Sequence, residues 1–115
     1  MSPALIVIGP DNAGALARIH ALGFDVPWGA ADFRDLLSKP GVIALGIEGK
    51  DALAAFILVQ NSGESAEILT LAADPVFRRQ GFAKKLVRAA LRRLGERGTA
   101  RLNLDVAADN SAGLA

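Results

Sequence analysis

With 115 residues the chain has room for one domain and a modest core. Apolar residues make up 51% and charged residues 22%, the balance of a globular rather than a disordered chain. There is no cysteine and one histidine, His20, which excludes disulfides and thiolate metal sites and leaves little for any other metal site.

The first apolar run, ALIVI at residues 4–8, reads as a strand ended by Gly9-Pro10. It is too short to be the apolar part of a secretion signal. ALAAFILV at 52–59 is likewise too short to cross a bilayer, so a cytoplasmic protein is expected. Asp11 is the expected N-cap of a helix through about His20, with Ala13, Leu16, Ala17 and Ile19 on its apolar side. GFDVPWG, with Pro27 and two glycines, predicts a loop, and a short helix from Ala31 to Ser38 is stopped by Pro40-Gly41. VIALGIE and ALAAFILVQ, separated by Gly49-Lys50-Asp51, predict a β-hairpin, and AEILTLAA predicts a third strand up to Asp74-Pro75.

The most regular helix pattern runs from Gly81 to Arg97. Phe82, Leu86, Val87, Ala90, Leu91 and Leu94 supply its apolar side, and Lys84, Lys85, Arg88, Arg92 and Arg93 the opposite one. After Gly98, ARLNLDV alternates as a strand, which gives the order βααβββαβ. The last strand–helix–strand unit predicts two parallel strands. No internal repeat, low-complexity tract or linker interrupts the order.

A formal net charge of +1 hides an asymmetry. Nine of the 13 Lys and Arg residues lie between Arg78 and Arg101, against one acid, Glu96. That excess predicts an anionic partner at one place. A helix N-terminus presents unpaired N–H groups and the positive end of the macrodipole, and Gly81 lets a ligand come close to the backbone, so pyrophosphate is the expected anion. The phosphate-loop pattern G-x-x-x-x-G-K-[ST] is absent, and so is the dinucleotide fingerprint G-x-G-x-x-G. What stands there is R-x-x-G-x-A, Arg78 to Ala83, after a strand and Asp74-Pro75.

The segment ILTLAADPVFRRQGFAKKLV, followed by LNLDVAADNSA, resembles the acetyl-coenzyme-A-binding region of the GNAT N-acetyltransferase superfamily. HALGFDVPW and FRDLL are most similar to its RimI-type branch, whose members acetylate the N-terminal alanine of a small-subunit ribosomal protein. The resemblance implies a GNAT acyl-CoA N-acyltransferase fold, an α/β (α+β) domain over residues 1–115 with a mixed central sheet flanked by helices. It also implies acetyl transfer from acetyl-CoA to a primary amine, a protein N-terminal α-amino group foremost, with no metal.

Carried over residue by residue, the resemblance places Leu71, Ala72 and Ala73 along the pantetheine arm. Arg79, Gln80, Gly81, Phe82, Ala83 and Lys84 fall on the pyrophosphate turn, and Asn110 against the coenzyme. Asp105 stands where the RimI-type branch carries a glutamate as general base; aspartate is one methylene shorter. Glu67 on the coenzyme strand is a second candidate base, and His20 reads as a helix-end residue rather than a base. Phe24 and Trp28 are candidates for the acceptor groove, against the commoner case of an aromatic loop tucked onto the core.

The family's general acid is a tyrosine in the helix after Asn110; this chain has no tyrosine and stops at Ala115. The last helix turns and two final strands of the family fold are therefore expected to be missing. This 115-residue form is expected to bind acetyl-CoA, to transfer acetyl groups poorly, and to self-associate through an exposed sheet edge. The acceptor stays open between a protein N-terminus, a lysine and a small-molecule amine. A nucleic-acid-binding module using the basic helix 84–97 is the alternative of a different class, although neither nucleic acid nor membrane is the expected partner. That helix lacks the interleaved aromatics of a single-strand binder.

Overall fold

The computed structural model describes residues 4–49, 52–63, 65–77 and 80–96, and the backbone of 101–103. Five strands form one sheet in chain order: β1 (Ala4–Val7), β2 (Val42–Glu48), β3 (Leu53–Asn61), β4 (Ser65–Ala73) and β5 (Arg101–Asn103). β1 to β4 pair antiparallel, and β5 pairs parallel to β4 through Ser65–Arg101, Ala66–Leu102 and Glu67–Asn103. The helix between those two strands is α3 (Phe82–Glu96), the crossover that a parallel pair requires. The expected order βααβββαβ is the observed one.

Helices cover both faces. α1 (Ala13–Gly23) and α2 (Ala30–Leu37) bury Leu16, Ile19 and Phe33 against Ala44, Phe56, Leu58 and Ala72. α3 buries Phe82, Leu86, Ala90 and Leu94 against Ile43, Leu45, Ile57, Val59, Ile68 and Leu71 on the other face. β3 therefore sends alternate side chains into two cores, which is why its sequence is a continuous apolar run rather than an alternating one. Burying a Leu, Ile or Phe contributes about 1.5–3 kcal/mol, so the central strands carry most of the stability.

Local boundaries differ from the sequence reading in three places. Pro10–Asn12 forms a 3-10 turn, so Asp11 lies inside it and Asn12 precedes α1; the Asn12 Oδ1 accepts the Gly9 N–H at 3.0 Å. Proline suits a first helical position, which starts the turn earlier than the apolar spacing suggests. With no breaker before it, α1 also runs on to Gly23. Finally, Leu91 is 47% exposed while Ala83 and Ala89 are buried. Five residues on from Leu86, Leu91 stands about 140° round the helix, outside the buried stripe, whereas Arg93 returns to within about 20° of Leu86 and is half-buried.

Candidate functional site

β4 carries an irregularity that periodicity alone does not reveal. Leu58 pairs with Thr70 and Val59 with Ile68, leaving Leu69 as the extra residue of a β-bulge. Bulges bend a strand and re-aim its side chains, commonly beside active sites. Beyond it Leu71, Ala72 and Ala73 are buried and pair with Ile57, Phe56 and Ala55 of β3. On the other edge of β4, the described pairing with β5 covers residues 65–67 only.

Four side chains mark the α1–α2 side of this strand. Ala66 and Ile68 belong to the α3-side core, so the intervening Glu67 points to the α1–α2 face, where it is exposed. Leu69 joins the α1–α2 core. Thr70, opposite Leu58, shares that face; it is 2% exposed and its Oγ1 has no hydrogen-bond partner among the described residues. Ala72 closes the row.

At Asp74 the chain leaves the sheet. Its N–H donates to the Ala54 carbonyl at 2.8 Å, and its own carbonyl and Oδ1 accept the N–H groups of Phe77 and Val76 at 2.8 and 3.0 Å. These bonds shape the 3-10 turn Pro75–Phe77, whose Phe77 ring lies 6.1 Å from that of Phe82. Gly81 enters α3 with φ +76°, a left-handed conformation that glycine adopts without strain. A Cβ there would meet no atom of a described residue within 4 Å, so among these residues the backbone at this turn is open.

The first helical bond of α3 runs from the Lys85 N–H to the Gly81 carbonyl at 3.1 Å. The N–H groups of Phe82, Ala83 and Lys84 precede that ladder, so the helix itself supplies them no acceptor among the described residues. No acid lies in this first turn, and Lys84 and Lys85 are exposed, so the turn itself adds positive charge to the positive helix end. Gln80 is exposed, whereas Phe82 and Ala83 are buried and anchor the turn to the core. Among the described residues, the open backbone at Gly81, the start of α3 and the exposed lysines fit a pyrophosphate. Arg79, Asp105 and Asn110 lie outside the described residues.

The loop 24–29 is built on aromatic stacking. His20, 1% exposed in the last turns of α1, stacks on Phe24 at 3.8 Å and 6° and on Trp28 at 4.9 Å and 19°. Its Nδ1 accepts the Trp28 N–H at 2.9 Å. Phe33 meets His20 edge-on at 5.3 Å and Phe56 edge-on at 5.6 Å, which continues the cluster down to β3. Phe24 and Trp28 are both half-buried, while Asp25, Val26 and Pro27 are exposed at the tip. The aromatic pair is thus tucked onto the core, with the loop tip free.

The spacing of the sequence missed three features. The Leu69 bulge and the buried Thr70 hydroxyl carry no local signal, and Arg18 is distant in sequence from the turn it touches. The Asp74-Pro75 pair was the only pointer to the turn's anchor.

Residues 13–115 match the model of the acetyltransferase (GNAT) family. Over 98 residues the chain is 35% identical to the ribosomal protein bS18 alanine N-acetyltransferase of Haemophilus ducreyi, covering 84% of this chain and 66% of that protein. The Salmonella typhimurium protein of the same name is 34% identical over 98 residues, covering 85% of this chain and 63% of its own. The chain thus spans slightly under two thirds of the length of these relatives. The crystal structure of the ribosomal-protein-S18-alanine N-acetyltransferase from Escherichia coli superposes with a TM-score of 0.84 at 24% identity, over 96% of this chain and 70% of that one. That likeness shows the fold.

Proposed function

The chain belongs to the acetyltransferase (GNAT) family, and from that premise we propose that it binds acetyl-CoA and moves the acetyl group to a protein N-terminal α-amine. The observation that carries the reading is the turn at Gly81: left-handed glycine, a backbone open among the described residues, the N–H groups of Phe82 to Lys84 ahead of the helical ladder, and flanking lysines. An extended, pyrophosphate-bearing coenzyme is the ligand that uses this turn together with the edge of β4.

In this reading the turn holds the pyrophosphate through backbone N–H groups, and Arg79, Gln80 and Lys84 add attraction. Leu71, Ala72 and Ala73 lie along the pantetheine arm, and Asn110 supports it. The coenzyme supplies a thioester carbonyl. The N–H of Ala72 or Ala73 is the proposed donor to the oxygen that gains charge, acting in a water-poor setting where such a bond counts most. An α-amine, with a pKa near ~8, is partly neutral at pH 7, so a carboxylate acting directly or through one water completes deprotonation. Asp105 takes that role, with Glu67 as the second candidate.

The acceptor is proposed from the relatives, both named as alanine N-acetyltransferases of ribosomal protein bS18. The loop carrying Phe24 and Trp28 borders the acceptor on the α1–α2 side. A cytoplasmic location goes with that acceptor.

Calorimetry with acetyl-CoA, followed by mass spectrometry of a peptide bearing the alanine-led bS18 N-terminus, tests both parts. Saturable binding and a 42-Da gain on the α-amine, as the added acetyl group dictates, are expected. Binding without transfer to this peptide, but with transfer to a lysine side chain or an aminoglycoside, moves the acceptor class. No binding overturns the coenzyme reading.

A further inference from the structure

Arg18 of α1 reaches the turn leading into α3. Its Nη1 donates to the Asp74 Oδ2 at 3.0 Å, and its Nη2 donates to the Leu53 carbonyl at 3.1 Å. Arg18 and Asp74 are 56 positions apart in the chain. The guanidinium therefore ties α1, the first residue of β3 and the exit of β4 at a single point.

Asp74 is well placed to pass that restraint on. One carboxylate oxygen accepts Arg18, and the other accepts the Val76 N–H that shapes the 3-10 turn. Its carbonyl accepts the Phe77 N–H, and Phe77 packs against the core under α3. A planar guanidinium can serve two acceptors in a fixed fork, which a lysine ammonium on a flexible stem does less well.

We propose that Arg18 is a positioning residue for the coenzyme turn. By holding Asp74 against α1 and the start of β3, it sets the place from which Gly81 and the first N–H groups of α3 meet the pyrophosphate. This rests on the coenzyme reading above. The same helix carries His20, two residues on, whose Nδ1 holds the Trp28 loop on the acceptor side. One rigid element thus fixes both the coenzyme turn and the acceptor loop.

The competing account is an ordinary surface ion pair. The Arg18 side chain is 44% exposed and that of Asp74 is 14% exposed. Exposed pairs add little to stability. A pair that served only stability would, when removed, lower the melting temperature slightly and leave the affinity of the folded protein for acetyl-CoA unchanged. A positioning pair moves the affinity instead, because N–H groups displaced by a fraction of an ångström lose much of their hold on phosphate.

The test is calorimetric titration of acetyl-CoA into the parent chain, Arg18→Gln, Arg18→Lys, Asp74→Asn and the Arg18→Gln/Asp74→Asn double variant. Titrations are run at a temperature where parallel melts show each protein folded. Arg18→Gln and Asp74→Asn are each expected to weaken binding about tenfold, and the double variant to be no weaker than either alone. Arg18→Lys is expected to recover only part of the loss, because charge without the fork does not hold both acceptors.

Equal affinity of the parent and Arg18→Gln overturns the inference alone. Full recovery by Arg18→Lys also overturns it, assigning the effect to charge. Losses that simply add in the double variant overturn the route through Asp74. A parent that binds no acetyl-CoA overturns the coenzyme reading and this inference with it. If Arg18→Gln does not fold, Asp74→Asn and Arg18→Lys decide on the same criteria.

Discussion

The Trp28 N–H donates to Nδ1 of His20 at 2.9 Å, and this bond fastens the 24–29 loop to α1. An Nδ1 that accepts carries no proton, so the bonded ring is the neutral tautomer with its proton on Nε2.

His20→Leu removes the acceptor and the stacked ring together. Leaving the Trp28 N–H without its partner costs about 1–3 kcal/mol, and the lost aromatic contacts add to that. A fall of that size in urea-unfolding stability is expected, with a shift in the emission of Trp28, the chain's one tryptophan. Folded His20→Leu protein that keeps the parent's stability and emission but loses all acetyl transfer would make His20 a chemical participant instead.

Thr70→Val is expected to stabilise the protein. The hydroxyl is buried without a partner among the described residues, so its desolvation is not offset there, and a methyl of similar size removes the penalty. A gain of about 1 kcal/mol is expected from the cost of unpaired buried hydroxyls. It should appear as a higher denaturation midpoint at unchanged slope. A loss of stability would show that the hydroxyl is satisfied in solution.

At Gly81 the conformation and the open space make separate contributions. Any Cβ is strained at φ +76°, by about 1–2 kcal/mol for an ordinary residue, whereas asparagine tolerates this region better. No atom of a described residue opposes the new side chain, so Gly81→Asn is expected to stay folded. It is expected to bind acetyl-CoA far more weakly, because its side chain occupies the space assigned to phosphate. Gly81→Val should lose both binding and stability. Parent-like affinity in Gly81→Asn would remove this turn from the coenzyme site.

The base is tested by Asp105→Asn beside Glu67→Gln in the acetyl-transfer assay. Asp105→Asn is expected to lower kcat/KM by ~10²–10⁴ near neutral pH, the range for a lost general base. Above the amine's own pKa of ~8 the acceptor deprotonates unaided, so the loss should shrink as pH rises. A loss that stays constant with pH would make Asp105 a positioning group. The same pH-dependent loss in Glu67→Gln alone would move the base to β4.

Local signals carried much of this protein. The βααβββαβ order was legible because Gly-Pro, Pro-Gly and Asp-Pro breaks separate runs whose lengths and periods suit one element each. The apolar run of β3 marked one strand of a hairpin, and the structure shows it covered on both faces. The start of α3 was legible for the same reason: a glycine and cations opening an amphipathic helix act within a few residues of one another.

Tertiary structure decided the rest, because it depends on residues that meet only after folding. Arg18 finds Asp74 across 56 positions, and nothing in either neighbourhood predicts the other. Leu69 bulges because β4 must stay in register with β3, so the faces taken by Glu67 and Thr70 follow from pairing rather than from alternation. His20 looked like a helix-end residue by its place in α1; it became the peg of a loop once Phe24, Trp28 and Phe33 closed around its ring. A sequence specifies period and punctuation locally, but the partner of a buried polar group is chosen by the packing of the whole chain.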